Sequence, residues 1–178
     1  MKFTWGENSL DVRKNFTNQN NMYLEHIAKI KNDFKNGNVI EIGPGNGKFA
    51  CLLSKKYSIK KYTLLDLERV VHHSETRMRK YNPEVLIEVN FAEEFEKCFF
   101  KKYDLLVSNV CIPETPKEYR RTLLNNLIPN CKSSIIIGQL DETGEGYKKW
   151  IINLFEENYD NVLCDLTDYK NCYALIGY

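Results

Sequence analysis

Short apolar runs alternate along this chain with stretches in which apolar residues recur at helical spacing. Residues 8–36 are polar with an intermittent apolar stripe (Met22, Leu24, Ile27, Ile30, Phe34), which predicts one or two lead-in helices broken by Asn36-Gly37-Asn38. A strand follows over 38–43. Phe49, Leu52, Leu53 and Tyr57 then share one face of a helix from about 46 to 57. The pattern continues with a strand at 62–66, a helix at 68–81 ending before Pro83, and a strand at 85–89. A short helical stretch near 92–98 leads to a strand at 103–109, and a helix after Pro116 runs to about 128. The run 134–138 (Ser-Ile-Ile-Ile-Gly) is apolar throughout, as in a strand buried on both faces. Tyr147 to Glu157 reads as the last helix, and 161–167 with 172–178 as a closing hairpin. Alternation of this kind predicts an α/β fold with a mostly parallel sheet.

The first strand carries the most informative chemistry. Val39-Ile40-Glu41-Ile42 runs into Gly43-Pro44-Gly45-Asn46-Gly47-Lys48, and the next strand ends on Asp66. Glycines at a strand-to-helix turn let the backbone approach a ligand closely, because no Cβ intervenes. A carboxylate closing the neighbouring strand can accept hydrogen bonds from both hydroxyls of a ribose. The pair describes a pocket for an adenosine-containing cofactor. A dinucleotide site needs Gly-x-Gly-x-x-Gly, and Lys48 stands where its third glycine belongs. Glu41 would add negative charge near a pyrophosphate and suits a cationic ligand better.

Composition narrows the class. The chain has 178 residues, a formal net charge of +1 and no apolar run near the length of a membrane span, so a single soluble domain without a nucleic-acid footprint is expected. Lys55, Lys56, Lys60 and Lys61 sit where solvated lysines would offset a helix dipole. The N-terminus shows no signal-peptide core, and the six cysteines include no Cys-x-x-Cys, so a reduced cytoplasmic protein is expected. The apolar neighbours of Cys51, Cys164 and Cys172 read as core. No metal site is predicted, with His72 and His73 read as surface residues.

Glu41-Ile-Gly-Pro-Gly-Asn-Gly47 resembles the first motif of class I S-adenosylmethionine-dependent methyltransferases, and the resemblance spans nearly the whole chain. Within that class, Tyr62–Leu67 and Tyr103–Thr115 are similar to the sugar O-methyltransferases. The resemblance implies a Rossmann-like sheet of seven strands, mostly parallel with an antiparallel last strand, and helices on both faces. The closing hairpin agrees independently, since a short return can only insert antiparallel; a nicotinamide-binding domain would continue with helices.

The implied organisation is a helical lead-in or substrate cap over 1–36 and a cofactor-binding domain over 37–178. Gly43, Gly45 and Gly47, with Glu41, would shape the bed for the methionine portion, and Asp66 would hold the ribose. Leu67 would lie against adenine, with Asn90 and Phe91 at the adenine amino group, although an acid is more usual in the class. Ser108 and Asn109 would hold the amino-acid part. The resemblance places Glu114 as the base that takes the acceptor hydroxyl proton; helix capping is its bland alternative. Asp141, Glu142 and Tyr147 are substrate-site candidates. The expected activity is O-methylation of a saccharide or nucleotide sugar. Methylation of another small molecule or a protein side chain remains open, as does a non-catalytic cofactor-binding partner subunit.

Overall fold

The computed structural model describes residues 16–30, 34–109, 111–138, 146–167 and 172–178. Among these residues, seven strands form one sheet: β1 (Asn38–Ile42), β2 (Lys61–Asp66), β3 (Leu86–Phe91), β4 (Leu105–Asn109), β5 (Ser134–Gly138), β6 (Val162–Leu166) and β7 (Tyr173–Gly177). Their order across the sheet is β3-β2-β1-β4-β5-β7-β6. The first five are parallel, and β7 inserts antiparallel between β5 and β6. This is the expected Rossmann-like class I methyltransferase sheet. Strand order reverses between β1 and β4, the place where open α/β sheets bind ligands beyond their carboxyl ends.

Period-two alternation in β1 divides the core. Val39 points toward a cluster built from α1 (Phe16–Ile27), α2 (Lys48–Tyr57) and α3 (Glu68–Tyr81), where Tyr23, Ile27, Phe49, Leu53, Val71 and Met78 are buried. Ile40 and Ile42 point to the other face, against α4 (Cys111–Glu114), α5 (Lys117–Leu127) and α6 (Tyr147–Glu156). Helices therefore cover both faces. Glu68 opens α3 while Arg79 and Lys80 close it, each sign matched to the helix dipole.

Several boundaries move for identifiable reasons. Tyr103 makes only an isolated bridge to Cys131, so β4 starts at Leu105. The third strand starts one residue late and extends through Asn90 and Phe91, because its pairing with β2 persists to Asp66. The one-turn helix α4 is absent from the periodic pattern, being too short to show one. Cys172 is buried and Cys51 half-buried, but Cys164 is exposed, contrary to the core reading: β6 is an edge strand. Lys61 forms an ion pair with Glu88 at 2.7 Å across β2 and β3 instead of standing free in solvent. Among the described residues, no helix is long and apolar enough to cross a membrane.

Candidate functional site

The three glycines of the β1–α2 turn have φ of 75°, 55° and 70°, the left-handed region that a side chain strains to enter. They serve different neighbours. A Cβ on Gly43 would stand 2.3 Å from the Cys111 Cβ, so its absence lets α4 close onto the turn. A Cβ on Gly47 would stand 2.8 Å from the Ser74 Cα, so its absence lets α3 approach. Gly45 has no protein atom near the position its Cβ would take, and that side of the turn is open.

Ser74 locks this arrangement. Its hydroxyl donates to the Gly45 carbonyl at 2.6 Å from the buried face of α3. Nothing in the helical pattern singled it out, although a lone small polar residue in the Val71–Ser74–Met78 stripe was the available signal. The turn itself is closed by Gly47 N–H donating to the Pro44 carbonyl at 2.9 Å, and Lys48 N–H donates to Asn46 Oδ1 at 2.9 Å.

Asp66 ends β2 beside this turn. Its Oδ1 accepts from the Leu67 N–H at 2.7 Å, and the Gly45 backbone also bonds to the carboxylate. Burial pushes its carboxyl up to about 6, against the pull of those two backbone bonds. Leu67 is half-buried and caps α3 in extended geometry. Phe91, at the end of β3, meets the His72 ring edge-on at 5.6 Å between centroids.

Glu41 takes a different direction. It alternates with Ile40 and Ile42, and therefore enters the α1–α3 side of the core, 1% exposed. The Tyr62 hydroxyl donates to its Oε2 at 2.8 Å. Burial raises the Glu41 carboxyl to about 7, with the Tyr62 bond opposing and the nearby Asp66 charge adding to the shift.

At the carboxyl ends of β3 and β4 lie three polar groups buried without a hydrogen-bond partner among the described residues: Asn90 Nδ2, Ser108 Oγ and Asn109 Oδ1. Leaving such a group unsatisfied costs about 1–3 kcal/mol. All three lie at the carboxyl edge of the parallel strands, the edge where the Gly45 turn and Asp66 also lie, and a ligand bound there would complete their bonding. A ligand with an adenine ring and an amino-acid moiety has groups of the required kinds: a ring nitrogen accepts from Asn90 Nδ2, and an ammonium donates to Asn109 Oδ1.

The candidates expected on the acceptor side follow β4 and β5 in the chain. Glu114 ends α4, and its side chain lies outside the described residues, as does all of Asp141 and Glu142. Tyr147 opens α6 and is buried, with its hydroxyl unbonded among the described residues; burial raises its ionisation well above the usual phenol range. The Arg120 guanidinium lies 4.2 Å from the centre of its ring, a buried cation on an aromatic face that sequence periodicity did not reveal. His72 is exposed and contacts Glu75 at 3.3 Å, and His73 is exposed as well. Among the described residues no group of three His, Cys, Asp or Glu side chains could hold a metal ion.

Comparison with known proteins bears on this geometry. The O-methyltransferase family protein of Burkholderia thailandensis superposes with a TM-score of 0.64 at 11% identity, over 94% of this chain and 60% of its own. The methyltransferase domain of bacterial CtHen1-CN gives 0.66 at 16% identity, over 90% of this chain and 98% of its own. Magnesium protoporphyrin IX methyltransferase (ChlM) of Synechocystis PCC 6803, solved with bound S-adenosylmethionine, gives 0.69 at 13%, over 97% and 85%. At such identities the likeness is one of fold, and this chain spans only three-fifths of the Burkholderia protein. No curated protein matches the sequence. Residues 13–144, well over half of the chain, match the family described as methyltransferase small domain, and the chain belongs to that family.

Proposed function

We propose that this protein is an S-adenosylmethionine-dependent methyltransferase that methylates a hydroxyl of a small molecule, with a saccharide or nucleotide sugar as the acceptor class. The observation that carries the cofactor is the set of unsatisfied groups on Asn90, Ser108 and Asn109 at the same carboxyl edge of the sheet as the open Gly45 turn. Family membership and the fold support it. The O-methyl and saccharide readings are supported by the sequence likeness at Tyr62–Leu67 and Tyr103–Thr115.

When bound, S-adenosylmethionine supplies an electrophilic methyl group. The chain's own residues then orient, exclude water and handle the proton. Asp66 accepts the ribose hydroxyls while its backbone bonds to Leu67 and Gly45 keep it aimed. Leu67 and Phe91 flank adenine, and the Asn90 amide meets its polar edge. Ser108 and Asn109 hold the amino-acid end over the bed formed by Gly43, Gly45 and Gly47. Glu41 acts from beneath, fixing β1 against Tyr62. Glu114 takes the acceptor proton, and Asp141 and Tyr147 line the acceptor side; the described part of the lead-in, α1, packs into the core on the opposite face of the sheet from Tyr147. In-line transfer needs mainly orientation and a proton sink.

Calorimetry with S-adenosylhomocysteine and with NAD tests the cofactor. Binding of the first alone is expected; binding of NAD alone overturns the reading. A screen of nucleotide sugars and simple glycosides with methyl-labelled cofactor tests the acceptor class, and labelling of a non-saccharide alone overturns that part.

A further inference from the structure

A second groove lies far from the cofactor crevice. It runs between the C-terminal halves of α5 and α6 and encloses about 610 Å³. Both helices end at the amino edge of the sheet. Asn130, just past α5, accepts from the N–H of Tyr103 ahead of β4, and Tyr159, just past α6, bonds to Ser134 at the start of β5. The groove is therefore at the opposite end of the sheet from Gly45, Asp66 and Asn109.

Its lining separates into two kinds of surface. Trp150, Leu154 and Pro129 give an apolar floor, and Asn125, Asn153 and Glu157 form an exposed polar rim. Asn158 adds an amide whose NH₂ donates to the Leu154 carbonyl at 2.7 Å, leaving its oxygen as an acceptor. Trp150 is held by its neighbours, since the Arg121 guanidinium stands over one face of its ring at 5.4 Å and the Tyr147 ring lies 5.6 Å away. An aromatic side chain held this way loses little freedom when something stacks on it.

The chemistry of the lining selects its ligand. Apart from Arg121, which is engaged with the Trp150 ring, no cation among the described residues stands at the groove, and a carboxylate lines it, which disfavours phosphate and nucleic acid. Three amides and an acid around a single ring are too polar for an aliphatic ligand. A pyranose answers both features: its axial C–H face is apolar and stacks on an indole, while its ring hydroxyls donate and accept at once. Amides do the same, and a carboxylate accepts from neighbouring hydroxyls. The volume falls within the range of small-molecule clefts, roughly 300–1,000 Å³.

We propose that the α5–α6 groove is a saccharide-binding site, separate from the methyl-transfer centre, in which Trp150 stacks on a neutral sugar ring and Asn125, Asn153 and Glu157 bond its hydroxyls. The proposal does not rest on the identity of the methyl acceptor. A remote site of this type would tether an oligosaccharide chain or hold the protein on a glycan surface.

The test uses the full chain carrying Trp5→Phe, so that Trp150 is the sole indole. Maltotriose, cellotriose, mannotriose and chitotriose are titrated in the millimolar range, following fluorescence and, in parallel, saturation transfer from protein to sugar by NMR. A saturable response to at least one of them is expected. Asn153→Ala should weaken it about tenfold by both readouts, and Trp150→Leu, which carries no indole, about tenfold by saturation transfer, the effect of one lost stacking or bonding contact, with S-adenosylhomocysteine affinity unchanged. If none of the four binds, or if both variants bind as the parent does, the proposal is overturned. Capture of a proline-rich peptide in place of every sugar overturns it also, and makes the groove a protein-docking site. Cofactor binding is read separately, so failure here leaves the methyltransferase reading standing.

Discussion

The proposed cofactor half of the site (the carboxyl ends of β1 to β4) and the proposed acceptor half (the segments after β4 and β5) are built by different means. In the first, the candidates are set by backbone geometry and by strand ends: three left-handed glycines, Asp66 at the end of β2, Asn90 near the end of β3. In the second, the candidates sit past the strand ends, on α4, on the segment before α6 and on the first turns of α5 and α6. Position at a strand end is fixed by sheet pairing. A side chain beyond it is placed by packing between elements far apart in sequence. The first half can be read from a motif, and the second cannot.

The largest expected effect falls on the acceptor half. Glu114→Gln should leave cofactor affinity intact and lower turnover by about 100- to 10,000-fold, the usual span for a general base. Kinetics with a methylated acceptor would show the loss in kcat alone; a rise in KM alone marks plain substrate binding. An early melt with normal specific activity would mean that the carboxylate serves the fold.

Next in size is Asp66→Ala on the cofactor half. Hydrogen bonds to a charged group are worth about 1.5–3 kcal/mol, so S-adenosylhomocysteine affinity should drop roughly tenfold to a hundredfold with the fold retained. The wild type should also lose affinity as pH falls through about 6, where the Asp66 carboxyl takes up a proton. Asp66→Asn should flatten that part of the profile in calorimetry. A ribose held elsewhere would leave both measurements unchanged.

Glu41 separates binding from support within the cofactor half. A carboxyl raised by folding from 4.5 to about 7 contributes stability in full below the lower value and loses it as pH rises through the upper one. Glu41→Gln keeps an acceptor for the Tyr62 hydroxyl without the buried charge. It should be more stable than wild type at pH 8 by about 1–3 kcal/mol, with the advantage gone at pH 4. Thermal melts at the two pH values decide it.

The smallest effect distinguishes two glycines of one motif. Both Gly45→Ala and Gly47→Ala carry the strain of a left-handed backbone, about 1–2 kcal/mol. Only at Gly47 does the new Cβ meet the α3 backbone at Ser74. Gly47→Ala should therefore melt lower by about 1 kcal/mol more, while Gly45→Ala should lose more cofactor affinity for its loss of stability. Equal melts would dissolve the distinction between a packing glycine and a ligand-facing one.

The sequence by itself determined the order of the strands and of the longer helices, the antiparallel return of β7, and the glycine turn and the carboxylate that close β1 and β2. Each is written locally: apolar periods of 2 and 3.6, left-handed turn residues, a carboxylate closing a strand. Even the hairpin topology comes from the shortness of a turn. Tertiary structure alone decided that Gly43 and Gly47 yield space to Cys111 and Ser74 while Gly45 faces the open crevice. It alone turned Glu41 toward Tyr62, left Cys164 exposed on an edge strand, buried Arg120 against Tyr147, and gathered Trp150 with Asn125 and Glu157 across two helices. These outcomes depend on how elements distant in the chain pack together, and local sequence carries no record of that distance.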